Sequence, residues 1–594
     1  MSGILYKSSF YNPTNEMDFI AACKTMERRG KDNFGYIFNK NHSLGHLKHI
    51  TKDGINEKEP IVILDSYFMM DGNLTNYNEM KEYLDEKIEF DSDSFLTFKL
   101  LNKYGVDVLN KINGSYAMCL VKSDKVIALR DRFGVKPMYY SIINGELILA
   151  SEIKAILSYK KEAVVDKEGL KELLAMGPSH SKGKTIYKGI YEIPPGYYLE
   201  YNPLDGVRLI RYYQINVYDN KLSYKAAVEE VKRILDDSII QNISSNTKTC
   251  ALLSGGLDSS IVATISSRYI NNLNTFNLDY EDNSEDFKAN EFEKSRDKDY
   301  AREVSENIKS NHHEILISND DLIKHLTTVV DLRDAPGMTD IDSSLYYLSS
   351  KMSDEFSVGL SGECSDEIFA GYLWFYNKDT STGFPWIRAT SFKEELLNDC
   401  FKDLGLNEYV DNEYNLAIKE APTFGKCEEY IEHQRLCYIN LRYFMTNLLD
   451  RNDRITSGAS IDVRAPFCDY RLVELLYNLP FKYKYRMSTE KKLLRDAYKN
   501  DVIKSVVKRK KSPYPKSQSH NYHNRIKNLV IDILDDDSSI INILFNKQKL
   551  KSFIEDDEEM NVPWYGQLMR KTAFIAYLYQ LDYWYKKYNV RIEY

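Results

Sequence analysis

An antiparallel α+β domain at the amino terminus, followed by a doubly wound α/β parallel sheet with a helical carboxyl-terminal part, is the fold the sequence predicts. Three observations predict it. Short strand-like runs separated by turn signals dominate the first two hundred residues. Strands and helices alternate from about Tyr224 onward. From about Ser391 to the end the apolar spacing is mostly helical.

In chain order, Pro60 to Leu64, Tyr116 to Lys122, Lys125 to Arg130 and Glu146 to Ala150 read as strands, with Asn144-Gly145 as a turn. The stretch Tyr201 to Asn220, with Asn202-Pro203 and Asp205-Gly206, is expected to connect two domains, residues 1–205 and 220–594. Tyr224 to Asn242 has helical spacing, Thr247 to Leu253 is an apolar strand, and Ser259 to Arg268 is helical again. Leu273 to Leu278 reads as a strand and Lys298 to Ile308 as a helix. Strand and helix alternation of this kind builds a parallel sheet with helices on both faces.

Composition narrows the function. The chain has 594 residues, a net charge of −9 and eight cysteines without a CxxC pair. Reduced thiols are expected, not a disulfide framework or a zinc site. The acidic balance argues against a nucleic-acid partner, since phosphate must be met by Lys and Arg. The run Lys508-Arg509-Lys510-Lys511 could still meet a phosphate locally, and the acidic cluster from Asp556 to Glu559 reads as a solvated face. No apolar run approaches a membrane span, and the first residues do not resemble a secretory signal. A cytoplasmic enzyme is expected.

The strongest chemical signal is Ser254-Gly255-Gly256-Leu257-Asp258-Ser259-Ser260, directly after a strand and at the start of a helix. Two glycines let backbone approach a phosphate, and helix-start N–H groups and serine hydroxyls donate to it. Asp258 is anionic, so its expected partner is the Mg²⁺ that bridges phosphates. A bare Gly-Gly turn would only close a βα unit; seven residues in this context point to ATP. The pattern GxxxxGK[ST] is absent, so a γ-phosphate kinase or GTPase is not indicated.

About one hundred residues later comes Leu360-Ser361-Gly362-Glu363-Cys364-Ser365-Asp366-Glu367, after the apolar strand Phe356 to Leu360. Both elements therefore sit at the carboxyl edge of the sheet, where open α/β sheets bind ligands. Three carboxylates within five residues need a cation or separate roles. Asp366 is read as joining Asp258 on Mg²⁺, and Glu363 as the proton acceptor beside the reacting carbonyl. Taken alone, the same residues could be a solvated acidic helix start.

Together these elements resemble the glutamine-dependent asparagine synthetases nearly end to end. Matching segments are Arg130-Asp131-Arg132-Phe133-Gly134-Val135-Lys136-Pro137, Ala150-Ser151-Glu152-Ile153-Lys154, Ile193-Pro194-Pro195-Gly196, Arg464-Ala465-Pro466-Phe467-Cys468-Asp469, Lys491-Lys492-Leu493-Leu494-Arg495 and Arg509-Lys510-Lys511-Ser512-Pro513. The resemblance implies an amino-terminal sandwich like that of the amino-terminal-nucleophile hydrolases, then an ATP pyrophosphatase domain. It implies ATP contacts from Leu253, Ser254, Gly255, Gly256, Asp258, Ser259, Leu278, Ser361 and Gly362. Mg²⁺ would lie on Asp258 and Asp366, and Lys491 would stabilise the phosphates or the acyl-adenylate transition state.

The glutaminase half departs from the family. Position 2, a nucleophilic cysteine in the family, is Ser2 here, and a hydroxyl is far less ionised than a thiol near neutrality. The family arginine that grips the glutamine carboxylate is replaced by Lys48, which lacks the bidentate fork. The family Asn-Gly oxyanion donor reads Asp71-Gly72, and an ionised Asp71 offers only acceptors. The family aspartate that holds the glutamine amine is matched by Asp93. Natural loss of glutaminase, an engineered substitution and a working serine remain alternatives, with natural loss favoured by three changes in one pocket.

The expected function is ATP-dependent amidation of a carboxylate, aspartate by default, with ammonia or an amine as nucleophile and a homodimer as a possible assembly. A biosynthetic ligase acting on another carboxylate is the near rival. A nucleotide-binding pseudoenzyme is the alternative of another class, and the intact loop with Glu363, Asp366 and Lys491 counts against it.

Overall fold

The computed structural model describes residues 1–51, 58–123, 125–243, 247–286, 296–377, 383–425, 427–556 and 558–594. Its amino-terminal part contains two six-stranded sheets. In one, Ser2–Ser8 runs antiparallel between His42–Lys48 and Glu146–Ala150. In the other, Ser66–Leu74 lies antiparallel beside Gly114–Lys122. Side chains two residues apart share a face of a strand, so Ile4 and Tyr6, Ala117, Cys119 and Val121, and Leu147 and Leu149 meet in one core between the sheets. Helix Asp93–Tyr104 covers the outer face of the second sheet, with the Phe98 ring stacked on Phe68 at 5.3 Å. The sandwich expected from the sequence is the one observed.

One boundary differs. Asn202-Pro203 and Asp205-Gly206 close a hairpin instead of leading out of the domain. Tyr197–Asn202 pairs with Gly206–Arg211, from Asn202 opposite Gly206 to Tyr197 opposite Arg211. The amino-terminal sheet therefore runs past residue 205. The physical reason is that turn residues specify a local reversal and leave open whether another strand comes after it. The next helix, Tyr224–Asn242, begins at Ser223, whose hydroxyl accepts the Ala226 N–H.

Beyond that helix lies a five-stranded sheet in the order Asn311–Ile317, Asn274–Tyr280, Thr249–Leu252, Val358–Leu360 and Asp462–Arg464. Every pairing in it is parallel. The first strand in the chain is central, so the winding reverses between Thr249–Leu252 and Val358–Leu360. Loops leaving two neighbouring strands at such a switch point diverge to opposite faces and open a crevice. Both predicted phosphate-side motifs begin there.

After Ser391 the regular structure among the described residues is helical apart from two strands, each three or four residues long and too short for alternation to show. Asp462–Arg464 completes the parallel sheet. Val590–Glu593 returns to the amino-terminal part and pairs in parallel with Ala163–Asp166. All eight cysteines are free. Asp556, Glu558 and Glu559 are exposed, as expected of a solvated face, and Asp557 lies outside the described residues. Among the described residues no helix is long and apolar enough to cross a membrane.

Candidate active site

The crevice at the switch point opens into a cavity of about 250 Å³. Leu253, Ser254, Gly256, Asp258, Ser259, Leu278, Ser361, Gly362, Glu363, Asp366 and Lys491 all line it. Residues drawn from four separated stretches of sequence thus share one wall. Helix Leu257–Ser266 has Gly256 as its N-cap with no side-chain cap, and its first residues, Leu257 to Ser259, line the cavity, where helix-start N–H groups suit an anion. The Ser254 and Ser259 hydroxyls lie 3.0 Å apart, and Ser254 Oγ accepts the Gly256 N–H at 3.3 Å.

Gly255 lies between cavity-lining Ser254 and Gly256 but does not itself line the cavity. It has φ 72°, and a Cβ there would lie 2.5 Å from the Ala301 nitrogen. Its requirement is close packing on helix Asp297–Ile308, and its carbonyl accepts Arg509 Nη1 at 3.1 Å.

Lys491 organises the anionic centre. Its ammonium lies 2.6 Å from Asp258 Oδ2 and 2.7 Å from Asp366 Oδ1. Lys511 takes the other Asp366 oxygen at 2.7 Å. Burial alone would push the Asp366 carboxyl up, but Lys491 and Lys511 hold it below its ordinary value. Burial likewise opposes the Lys491 charge, and the two aspartates outweigh it and raise its pKa. Ser365 donates to Asp258 Oδ1 at 2.7 Å, fixing the first loop to the second.

Two carboxylates meeting at one ammonium suit Mg²⁺, which takes one or two carboxylates and fills its shell with phosphate oxygens and water. Among the described residues no group of three or more His, Cys, Asp and Glu gathers to hold a metal by protein ligands alone. Phosphate oxygens would have to complete the shell. Close packing at this centre is enforced by Gly371, a residue not singled out by its sequence. A Cβ there would lie 1.9 Å from Asp366 Oδ1 and 2.5 Å from Lys491 Cε.

Glu363 lines the same cavity. Arg451 Nη1 lies 3.3 Å from its Oε1, while Oε2 is buried and has no partner among the described residues. Burial raises its pKa and Arg451 opposes the rise. A carboxylate with one free oxygen facing a cavity is placed to accept a proton. Neighbouring Glu367 is different: burial, then the charge of Asp366, push it up to about 7, and the Tyr372 hydroxyl donates to it at 2.5 Å.

Arg451 is the main residue that motif reading misses. Its Nε donates to Asp342 Oδ1 at 2.8 Å, and its guanidinium lies 5.2 Å from the Tyr514 ring centre. The signal available was Asp450-Arg451-Asn452-Asp453-Arg454, five polar residues in one helix, all of which are buried. Such a run has to be satisfied internally. Of the basic run, Arg509, Lys510 and Lys511 line the cavity and Lys508 does not.

The amino-terminal pocket shows a different state. Ser2 and Lys48 are opposite each other in paired strands. The Ser2 N–H donates to Asp71 Oδ1 at 2.7 Å, and Arg29 takes Asp71 Oδ2 at 2.8 Å. Lys48 lies 3.2 Å from Glu59, which also accepts Ser94 Oγ at 2.9 Å. The side chains of Asp71 and Lys48 are thus both engaged by other groups of the protein. Gly72 follows Asp71 in the strand at φ 132°, and Asp93 is the half-buried first residue of its helix. Glu59 has no counterpart in the sequence reading, because only the fold brings it to Lys48.

From Asp71 a buried chain of ions runs into the parallel-sheet half. Arg29 lies 2.7 Å from Asp453, Lys136 is 2.8 Å from Asp453 and 3.1 Å from Asp462, and Arg464 is 2.8 Å from Asp462. Arg29 is fully buried. Arg29→Met is expected to lower stability by about 3–5 kcal/mol, because it leaves the buried Asp71 without its cation and Asp453 with Lys136 alone. Denaturant unfolding measures this; an unchanged midpoint would show that Arg29 is not what balances Asp71 and Asp453.

Sequence comparisons agree with this division of the chain. The glutamine amidotransferase domain profile matches residues 1–213, and the asparagine synthase profile matches residues 230–586. A glutamine-hydrolysing asparagine synthetase 3 of Bacillus subtilis is 34% identical over 588 residues, covering 96% of this chain and 95% of the relative. A second from that organism, numbered 1, is 24% identical over 599 residues, covering 93% of this chain and 92% of its own. A solved glutamine phosphoribosylpyrophosphate amidotransferase of B. subtilis aligns with 46% of this chain and 65% of its own, with a TM-score of 0.28 and 15% identity.

Proposed function

The chain belongs to the asparagine synthase family, and from that premise we propose that it activates a carboxylate as an acyl-adenylate and passes the acyl group to ammonia or an amine. It is a ligase that forms carbon–nitrogen bonds. The observation that carries the reading is the convergence of Asp258, Asp366 and Lys491 at a helix start, with Glu363 on the same cavity.

In this reading a substrate carboxylate oxygen attacks the α-phosphorus of ATP and the bond to the β-phosphate oxygen breaks, releasing pyrophosphate. The helix-start N–H groups, Ser254, Ser259 and Arg509 bind the phosphates, and Lys491 neutralises charge that builds on them. Asp258 and Asp366 would hold Mg²⁺, which when bound offsets the phosphate charge. The nitrogen then attacks the acyl carbon, AMP leaves with the bonding pair, and the free oxygen of Glu363 accepts the nitrogen's proton. Carboxylate-dependent exchange of pyrophosphate into ATP tests the first step.

Aspartate is the acceptor that family membership suggests. One observation favours a less polar carboxylate: Tyr372, Phe444, Leu448, Tyr565, Leu568 and Met569 wall the cavity. Pyrophosphate release measured across aspartate, alkyl and aryl carboxylates separates the two readings, and a preference for aspartate would remove the second.

The nitrogen source is argued from the amino-terminal pocket. With Asp71 held by Arg29 and Ser2, and Lys48 by Glu59, glutamine hydrolysis is expected to be negligible, with amide formed from ammonia or an amine. Ser2→Cys alone should not restore it, because a thiol does not release Asp71 or Lys48. Glutamate formation from glutamine coupled to AMP production, in either protein, would overturn this.

A further inference from the structure

The Glu363 carboxylate is met by one arm of a guanidinium that has two to offer. Arg451 Nη1 lies 3.3 Å from Glu363 Oε1, and Oε2 has no partner among the described residues. An arginine free to turn toward a carboxylate takes both oxygens with two parallel N–H groups. Something other than Glu363 therefore sets the direction of this one.

Asp342 does so from the other side of Arg451. It is fully buried in the first turn of helix Asp340–Met352. Its Oδ1 accepts Arg451 Nε at 2.8 Å, and the Ile341 carbonyl accepts Arg451 Nη2 at 3.3 Å. Nε and Nη2 share one edge of the guanidinium, so that edge is filled and Nη1 is the arm left for Glu363. Asp342 is itself fixed: its Oδ2 accepts Arg333 Nη1 at 3.1 Å and the Met338 N–H at 2.7 Å. Arg333 Nη2 in turn donates to Asn447 Oδ1 at 3.0 Å and to the Pro178 carbonyl, in the amino-terminal half, at 3.1 Å. A Cβ at Gly337 would lie 2.3 Å from Asp342 Oδ2, so the chain needs a glycine where this carboxylate packs.

A buried aspartate between two arginines could serve the fold alone. What sets this one apart is where its contacts lead. They end on a carboxylate of the cavity wall that keeps one oxygen free.

We propose that Asp342 is a positioning residue for amide formation, which holds Arg451 to one oxygen of Glu363 and so leaves the other free to take a proton. This role rests on Glu363 being the proton acceptor. Without Asp342 the Arg451 fork turns and closes on both Glu363 oxygens. The lone pair that would accept the nitrogen's proton then points at an N–H, and the carboxylate is drawn out of line. A reacting group misplaced by about 1 Å costs on the order of 10²-fold in rate. Adenylation passes no proton from nitrogen to Glu363, so that step is spared.

The test is Asp342→Ala in the full chain, made alone and together with Glu363→Gln. Amide is measured from ammonium chloride with aspartate, or with benzoate if aspartate is refused. Its kcat should fall about 10²-fold with little change in the KM for ATP, while exchange of pyrophosphate into ATP stays near wild type. In Glu363→Gln the same substitution should cost almost nothing more, because the base it positions is already gone. A crystal structure of Asp342→Ala should show Arg451 donating to both Glu363 oxygens. Equal falls in the two backgrounds, or a loss of exchange matching the loss of amide, would make Asp342 a structural residue and overturn the proposal. A guanidinium that still meets Oε1 through Nη1 alone would overturn it as well. Should Asp342→Ala fail to fold, Arg451→Met leaves Asp342 with Arg333 and the Met338 N–H and replaces it in the same comparison, where equal falls again overturn the hold on Glu363. Wild-type amide formation by Glu363→Gln is a separate failure. It removes Glu363 as the base, whereas the structure of Asp342→Ala still decides whether Asp342 fixes the guanidinium.

Discussion

Asp366→Asn is expected to abolish carboxylate-dependent exchange of pyrophosphate into ATP, with a fall of about 10³-fold or more. Asp366 is the carboxylate through which both Lys491 and Lys511 reach the cavity, at 2.7 Å each. A neutral amide offers no charge to either ammonium and is a poor ligand for Mg²⁺. Losing several kcal/mol of stabilisation of phosphate charge corresponds to that fall, since about 1.4 kcal/mol is tenfold. Asp258→Asn should act alike, because Asp258 holds the other side of Lys491 at 2.6 Å. The two effects should not add, as both variants dismantle one ion cluster. Folding should survive each change, since Lys491 keeps one aspartate in either variant. Full exchange activity in either protein would remove the assignment of these carboxylates to the phosphates and their cation.

How much of the fold and site was legible in the sequence depended on how local each feature is. The loop from Ser254 to Ser260 could be read because its chemistry needs a strand, a turn and a helix start that are contiguous in the chain. The second loop could be read as a carboxylate cluster, and resemblance alone joined Lys491 to it across more than one hundred residues. Arg451, Gly371 and Glu59 could not be read, because what matters is their distance to groups elsewhere in the chain. Gly255 was legible as a glycine with a special role, and its close packing against Ala301 was not. The hairpin at Asn202 to Gly206 shows the same limit from the other side. Its turn chemistry was clear, but whether another strand came next depended on Arg211 finding Tyr197.

The sheet order explains why function concentrates where it does. Thr249–Leu252 and Val358–Leu360 are neighbours whose succeeding helices start on diverging paths, so the N–H groups after one strand and the carboxylates after the other face a common space. Asp462–Arg464 adds a third loop at the same edge, and its start is held by Lys136 from the amino-terminal half. The buried ions from Asp71 to Arg464 thus link the closed amino-terminal pocket to the edge that carries the cavity. If glutamine hydrolysis is absent as proposed, that half would serve as structure for the ligase half.

Glu363→Gln is the variant on which the choice of reaction rests. An amine attacking an acyl-adenylate must lose a proton as the carbon–nitrogen bond forms, so a base within hydrogen-bond reach lowers the barrier. Glu363 has one oxygen on Arg451 at 3.3 Å and the other without a partner among the described residues, in a wall shared with Asp366 and Ser361. Glutamine keeps the size and an oxygen for Arg451, and it replaces the accepting oxygen with an N–H donor. Arg451 retains Asp342 at 2.8 Å, so no buried cation is stranded and thermal unfolding should change little. ATP binding should be nearly normal, because the proposed phosphate contacts lie on Ser254, Ser259, Lys491 and Arg509. Amide formed from ammonia should fall by a factor on the order of 10² to 10⁴, the range of general-base effects. Pyrophosphate exchange should fall less, since that step transfers no proton from nitrogen. Wild-type amide formation by Glu363→Gln would make Glu363 a bystander carboxylate and require another base. A proportional loss of ATP binding would instead place Glu363 in ordering the nucleotide site, and the base assignment would fail.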